Sequence, residues 1–358
     1  MHDTIRWGMM GTGSIAQSFA QGLQHCPDAR LIAVGSRTIT SSNRFANRFN
    51  VPHRYASYET LVTDPEVDVI YIATPHPFHK ANSLLSLEAG KAVLCEKPFT
   101  LNAAEAAEVI QCARAKRLFL MEAMWTRFIP AIVKVRDLLA AGTLGDVRML
   151  TADFGFRAAF DPQSRLFAPH LGGGALLDVG IYPLALASMV LGTPTQITSM
   201  AHLGETGVDE QSAVLLGYDQ GQIAVLYAAT RTQTPIEAVI MGTRGSLKIH
   251  SPMYKPTRLT LSLHRGAATT PPKVPDFLKK LGRALGLGTL WRRHLAQKRT
   301  TLEIPMQGNG YNYEAAEVMR CLRAGKLESD TMPLDETLAL MRTMDEIRAQ
   351  WGLTYPTE

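Results

Sequence analysis

Near its start the chain runs from an apolar segment, Ile5–Met10, into Gly11-Thr12-Gly13-Ser14-Ile15-Ala16 and then into a helical pattern. After a strand and before a helix, that spacing binds a dinucleotide. Gly11 permits the tight turn, Gly13 lets the backbone approach a pyrophosphate, and Ala16 keeps the helix close to the sheet. The helix N-terminus then faces the anion. The end of the second apolar run decides between the two nicotinamide dinucleotides. An acidic residue about 20 positions on would accept from a ribose 2′-hydroxyl; Ser36, Arg37 and Thr38 stand there instead. No carboxylate repels a 2′-phosphate and a guanidinium can pair with it, so NADP is favoured over NAD. A third run ends in Thr74-Pro75-His76-Pro77-Phe78-His79, a stiff turn at the strand end where wound sheets hold their ligands. His76 and His79 stand there as ligand neighbours or as helix-start residues. A fourth run, Ala92–Cys95, delivers Glu96-Lys97-Pro98 to the same edge. A lysine so placed packs poorly but suits a cation set beside a nicotinamide. Further on, Asp178 and Tyr182 are four apart in a helical stretch after Gly172-Gly-Gly, hence on one face.

The elements that must position these groups change character along the chain. Ile5–Met10, Leu31–Gly35, Val69–Thr74, Ala92–Cys95 and Leu118–Met121 read as buried strands. They alternate with helical patterns at Ile15–His25, Ser42–Phe49, Tyr58–Val62, His79–Ala89 and Ala103–Ala115. Such alternation means a parallel sheet wound on both faces. Asn102 and Glu105 have the spacing of a capping box, and Gly90 suits a helix C-cap. After Glu122 the pattern turns to β segments with period-two alternation, among them Arg148–Phe156, Ala213–Tyr218, Gln222–Thr230 and the hairpin about Gly242-Thr-Arg-Gly245. Helical stretches at Gly174–Leu191 and Leu334–Gln350 interrupt or follow them. The expected architecture is α/β: an N-terminal Rossmann domain with a doubly wound parallel sheet over 1–122, then a C-terminal α+β domain with a mostly antiparallel open sheet over 123–358.

Composition limits what else the protein can be. With 358 residues, 46% of them hydrophobic and 19% charged, the chain has enough apolar content for two folded domains and too much for disorder. The most apolar stretch, Ile181–Leu191, is interrupted by Pro183 and too short for a bilayer, so no membrane role is expected. A strand-like run already at Ile5 leaves no room for a signal peptide. Four cysteines in no paired motif fit a reducing, cytoplasmic setting. The ten histidines form no ligand-spaced cluster, so no metal is implied. The net charge of +5 suggests a polyanion until it is located. Residues 271–300 carry eight Lys or Arg against one acid, so this insertion accounts for +7 and the rest for −2. Nucleic acid is therefore not an expected partner. The insertion reads as a flap over a cleft, a solvated loop, or a surface for an acidic partner or membrane.

Taken together, Gly11–Ala16, Glu96-Lys97-Pro98 and Asp178-x-x-x-Tyr182 resemble the glucose–fructose oxidoreductase/inositol dehydrogenase (Gfo/Idh/MocA) family. Met121-Glu-Ala-Met-Trp125-Thr-Arg127-Phe, Gly173-Gly-Ala-Leu-Leu-Asp178, Gly310-Tyr-x-Tyr313-Glu-Ala-Ala-Glu and Met332-Pro-Leu-Asp-Glu resemble its branch of dimeric dihydrodiol dehydrogenases and NADP-linked D-xylose dehydrogenases. The resemblance implies that Lys97 is the catalytic lysine, that Tyr182 is the acid/base group, and that Asp178 orients the substrate hydroxyl or the lysine. A neighbouring ammonium favours a phenolate over a phenol of reference pKa ~10. Trp125 and Phe154 become substrate walls or core aromatics, with Arg127 an orienting neighbour. Gly11, Thr12, Gly13, Ser14, Ile15, Ser36, Arg37, Thr38, Thr74, Pro75, His76, His79, Glu96 and Lys97 become the cofactor-binding set. The implied reaction moves a hydride between NADP and a secondary alcohol of a cyclic polyol, a D-xylose-like pyranose or a trans-dihydrodiol. The implied assembly is a homodimer through the C-terminal sheet. A different class, a catalytically silent NADP(H)-binding sensor of the same fold, has no need of an acid/base pair.

Overall fold

The computed structural model describes residues 4–264, 297–356 and 358. Six parallel strands, β1 (Ile5–Met10), β2 (Ala29–Gly35), β3 (His53–Tyr55), β4 (Val69–Ile72), β5 (Ala92–Glu96) and β6 (Leu120–Ala123), form one sheet in the order β3-β2-β1-β4-β5-β6. The strand order reverses between β1 and β4, and a crevice opens beyond the carboxyl ends at that point. Helices α1 (Ser14–Leu23), α2 (Ile39–Phe49), α3 (Tyr58–Val62), α4 (His79–Glu88) and α5 (Ala103–Lys116) connect the strands. Their ends follow local chemistry. Asn102 accepts from the Glu105 backbone N–H at 2.9 Å, while the Glu105 carboxylate accepts from Leu101 N at 3.1 Å. Gly90, with φ +79, follows α4. β4 and β5 are apolar along almost their whole length because both faces are covered.

Helix α6 (Pro130–Ala140) leads to the second sheet. Its strands are β7 (Val147–Gly155), β8 (Gln196–Leu203), β9 (Asp209–Gly217), β10 (Ile223–Ala229), β11 (Ala238–Gly242), β12 (Gly245–Ile249), β13 (Arg258–His264) and β14 (Gln297–Glu303). They run in the order β14-β13-β12-β11-β7-β10-β9-β8, antiparallel except for β7 with β10. A π-helical turn, Leu176–Gly180, feeds α7 (Ile181–Leu191), which lies on the inner face of this sheet. The helical run Pro169–Leu191 has the length and apolarity of a membrane span, longer than the sequence pattern indicates. Most of it is buried, so its apolar surface is used inside the protein. Two last helices, α8 (Tyr311–Arg323) and α9 (Leu334–Trp351), return to the first sheet, α8 against α1 and α9 against α5.

Three elements were not expected from the pattern. β3 is short, partly exposed and polar in part; α6 starts on Pro130, whose missing N–H is no loss at a first helical position. α8 begins inside the Gly310-Tyr motif and is amphipathic. The basic insertion falls, up to residue 296, outside the described residues.

Candidate active site

At the end of β1, Gly11 donates its N–H to Gly35 O at 2.9 Å, and a Cβ there would meet Ala73 O at 2.9 Å. α1 starts at Ser14 with Gly13 as an N-cap that offers no side-chain acceptor, and its first turn holds no acidic residue. A Cβ on Gly13 would meet nothing within 4 Å. The free N–H groups of Ser14, Ile15 and their neighbours therefore look onto open space beside Thr12, the arrangement a pyrophosphate needs. The residues present fit a dinucleotide. At the end of β2, Ser36 is buried, and the Thr38 hydroxyl caps α2 by accepting from Ser41 N at 3.3 Å. That leaves Arg37 as the exposed cation of this turn, with no carboxylate in the Ser36–Thr38 segment.

Beyond β4 the turn Thr74–His79 is held from below. Thr74 Oγ1 accepts from Asn82 Nδ2 at 3.0 Å, and Pro75 is exposed at the crevice. His76 Nδ1 lies 3.2 Å from Gly172 O, so this residue bridges the two halves of the molecule. Burial, with the nearby His79 and Lys97, pushes its pKa down to about 3 and keeps it neutral. His79 is not available to a ligand, contrary to the sequence expectation. Fully buried, its Nδ1 and Nε2 lie 2.8 and 2.7 Å from the carbonyl oxygens of Pro98 and Thr74. It ties the Thr74 turn to the lysine turn. Glu96 is corrected in the same way: one carboxylate oxygen accepts from Tyr71 OH and the other from Lys97 N at 3.1 Å, with the side chain turned inward.

Lys97 crosses the crevice. Its Nζ donates to Asp178 O at 2.7 Å, lies 3.6 Å from Asp178 Oδ1, and sits over the Tyr182 ring at 4.9 Å from the centroid. Arg165 Nη1 is bound to the same Asp178 Oδ1 at 2.7 Å. Cation, carboxylate and cation thus converge beside one phenol. Burial disfavours the Asp178 charge, but Lys97 and Arg165 overcome it and hold the carboxyl down at about 2. Burial also opposes the Lys97 charge, which Tyr182, Asp178 and Glu96 more than restore, so its pKa is raised. Tyr182 differs from the simple expectation. Lys97 and the Trp125 hydrogen bond favour its phenolate, yet burial outweighs both and leaves its pKa raised.

Trp125 and Phe154, the candidate wall or core aromatics, are buried in one aromatic cluster with Tyr182 and Tyr254. Trp125 is 4% exposed and donates Nε1 to Tyr182 OH at 3.3 Å. Phe154 lies 5.4 Å from the Tyr182 ring and stacks on Tyr254 at 4.5 Å. Arg127 does not belong to this wall. It is 3% exposed, and its Nη2 donates to Glu336 Oε1 at 2.6 Å and to Ala185 O at 2.8 Å, bracing α7 and α9.

Sequence reasoning missed Arg165, Tyr254 and Asp209. The first two lie in irregular segments with no periodic signal. Asp209 opens β9 and is fully buried; its Oδ2 accepts from Leu176 N at 2.7 Å, anchoring the start of the turn that carries Asp178. Gly174, with φ +118, exists for this contact, since a Cβ would fall 2.1 Å from Asp209 Oδ1.

With that geometry in hand, comparison with known proteins is specific. A family model described as "Oxidoreductase family, NAD-binding Rossmann fold" matches residues 5–124, and the GFO/IDH/MocA C-terminal domain model matches residues 132–248. The chain is 37% identical over 358 residues to trans-1,2-dihydrobenzene-1,2-diol dehydrogenase of Mus musculus, covering 99% of each. It is 35% identical over 390 residues to D-xylose 1-dehydrogenase (NADP(+)) of Hypocrea jecorina, covering 99% of this chain and 93% of that one. Among solved structures, an aldose-aldose oxidoreductase from Caulobacter crescentus superposes with a TM-score of 0.80 at 22% identity, covering 98% of each chain, which speaks to the fold.

Proposed function

The chain belongs to the Gfo/Idh/MocA oxidoreductase family, and from that premise we propose an NADP-dependent dehydrogenase that oxidises a secondary alcohol of a cyclic polyol. The substrate class is a D-xylose-like pyranose or a trans-dihydrodiol, in line with the names of the relatives. The observation that carries the reading is the meeting of Lys97, Asp178 and Tyr182 at the carboxyl edge of the parallel sheet. A silent sensor would not need a phenol and an ammonium brought together there, and the relatives are named as dehydrogenases.

When bound, NADP supplies the hydride acceptor. It would be held by the N–H groups after Gly11 and Gly13, by Arg37 at a 2′-phosphate, and along the Thr74–His76 turn. Once its own proton has passed to solvent, the Tyr182 phenolate takes the alcohol proton: the substrate O–H bond breaks and the phenol O–H bond forms. Lys97 steadies the phenolate from the ring face, with Asp178 and Arg165 fixing where the ammonium sits. Trp125, Phe154 and Tyr254 exclude water and give the sugar or diol ring an apolar wall. Residues 1–122 serve the cofactor and 123–358 the substrate and assembly. The assembly we propose is a homodimer through the outer face of the second sheet, where Met149, Met200, Leu215 and Ile223 are exposed large hydrophobics. Cys26, Cys95, Cys112 and Cys321 are all free thiols, which fits a cytoplasmic site of action.

The test is NADPH formation on incubation with NADP and a panel of pentoses, hexoses and aromatic dihydrodiols. Turnover of at least one cyclic polyol is the expected result. Tight NADPH binding with no turnover on the whole panel would contradict the reading.

A further inference from the structure

The Gly310-Tyr311 motif has no part in the site as built so far; what it does is hold an indole. Tyr311, the first residue of α8, stacks on Trp125 with ring centroids 4.7 Å apart and planes 21° from parallel. A Cβ on Gly310 would lie 2.6 Å from the same indole, so the chain passes Trp125 at a distance that leaves no room for a side chain. Held by the Tyr311 ring stacked on it and by the Gly310 backbone close to its Cζ3 and Cε3 atoms, the indole directs Nε1 at the Tyr182 oxygen, 3.3 Å away. Among the described residues this is the one hydrogen bond that oxygen makes. Lys97 is over the ring face, and its ammonium donates to the Asp178 carbonyl.

An indole N–H donates and cannot accept. A hydroxyl or amide in its place could take up the phenol's proton; Trp125 cannot. Among the described residues the Tyr182 proton is therefore committed to no acceptor, and it stays available to an oxygen in the crevice. When the phenolate forms, a donor is already aimed at it. We propose, on the basis of the dehydrogenase reading above, that Trp125 is a positioning residue for the acid/base tyrosine, its N–H reserving the Tyr182 proton for the substrate oxygen and favouring the phenolate. In oxidation the Tyr182 phenolate, its own proton lost beforehand to solvent, takes the alcohol proton as the alcohol O–H bond breaks, and the Trp125 N–H bond stays intact throughout. Gly310 and Tyr311 serve this by fixing the indole.

Trp125→Phe keeps the aromatic wall and its stack but removes the donor. Ultraviolet difference titration of tyrosine ionisation, with Tyr182→Phe as the reference that lacks the group, isolates the Tyr182 step. In Trp125→Phe that step moves up by about one pH unit, because a hydrogen bond to a charged oxygen is stronger than one to a neutral oxygen by roughly tenfold in equilibrium. The acid limb of kcat/KM for NADP-dependent oxidation of D-xylose or a trans-dihydrodiol moves with it, and the NADPH dissociation constant does not change. Tyr311→Leu, altered outside the crevice, shifts both in the same direction by less and provides the test if Trp125→Phe does not fold. An unmoved Tyr182 titration overturns the proposal, as does an effect confined to KM with the acid limb fixed. A moved titration in a protein that turns over no sugar or diol upholds the indole–phenol contact and defeats the dehydrogenase reading instead.

Discussion

Replacing Gly174 by alanine tests how the turn that carries Asp178 is held. The added Cβ would lie 2.1 Å from Asp209 Oδ1 and 3.2 Å from its Cγ, at a backbone φ of +118. Neither the turn nor the carboxylate can simply step aside, because Asp209 is fully buried and its other oxygen accepts from Leu176 N at 2.7 Å. Holding an L-residue at such a φ costs about 1–3 kcal/mol. Pushing the carboxylate off its backbone donor costs about 1.5–3 kcal/mol more. The total, roughly 2.5–6 kcal/mol, is a large part of what a folded domain has to spare. Guanidinium unfolding of wild type, Gly174→Ala, Asp209→Ala and the double variant measures it. Because Asp209→Ala removes the atoms in conflict, the double variant is destabilised by less than the sum of the two, by about 1–3 kcal/mol. Additive effects, or a loss below about 1 kcal/mol in Gly174→Ala, would refute the reasoning.

Arg37→Ala raises the dissociation constant for NADP by roughly 10- to 100-fold, the worth of a charge-assisted contact, and leaves NAD binding as it was. Isothermal titration with both dinucleotides checks this, and equal losses would remove Arg37 from the 2′-phosphate. Glu122 predicts a pH dependence. Burial pushes its carboxyl up to about 7, above the unfolded value of about 4.3. Its sign is that of a raised acid: the folded state is favoured while the group is protonated, and stability is lost as pH rises from about 4 to 7. Over that window wild type loses about 3 kcal/mol relative to Glu122→Gln in denaturant titrations at several pH values, and parallel curves would contradict it.

What the sequence made legible follows from which forces leave a periodic trace. β4 and β5 are covered on both faces and show as near-continuous apolar runs, as does β1 but for Arg6, and the glycine turn after β1 shows as a motif because the Ala73 backbone crowds Gly11 there. Lys97 stands out in the sequence as a lysine at a strand's carboxyl end and Asp178 and Tyr182 as a pair four apart, while the roles given to them come from the family resemblance. The direction of a side chain leaves no such trace. Arg127 stands in the same segment as Trp125 but turns into the interior toward Glu336, and His79 looks like its neighbour His76 until both ring nitrogens are found on backbone carbonyls. Arg165 reaches Asp178 from an irregular loop 13 residues before it, and Asp209 reaches Leu176 from a strand end 33 residues after it. Their roles exist only once the chain has folded.

The central claim is that Lys97 acts on the reacting groups and is not there to grip the cofactor. Its most direct test is the single-turnover rate of hydride transfer at saturating NADP in Lys97→Met, measured beside the NADPH dissociation constant of the same preparation. The account predicts a fall in rate of about 10²- to 10⁴-fold with the dissociation constant nearly unchanged. A rate close to wild type, or a loss of cofactor affinity as large as the loss of rate, would contradict it.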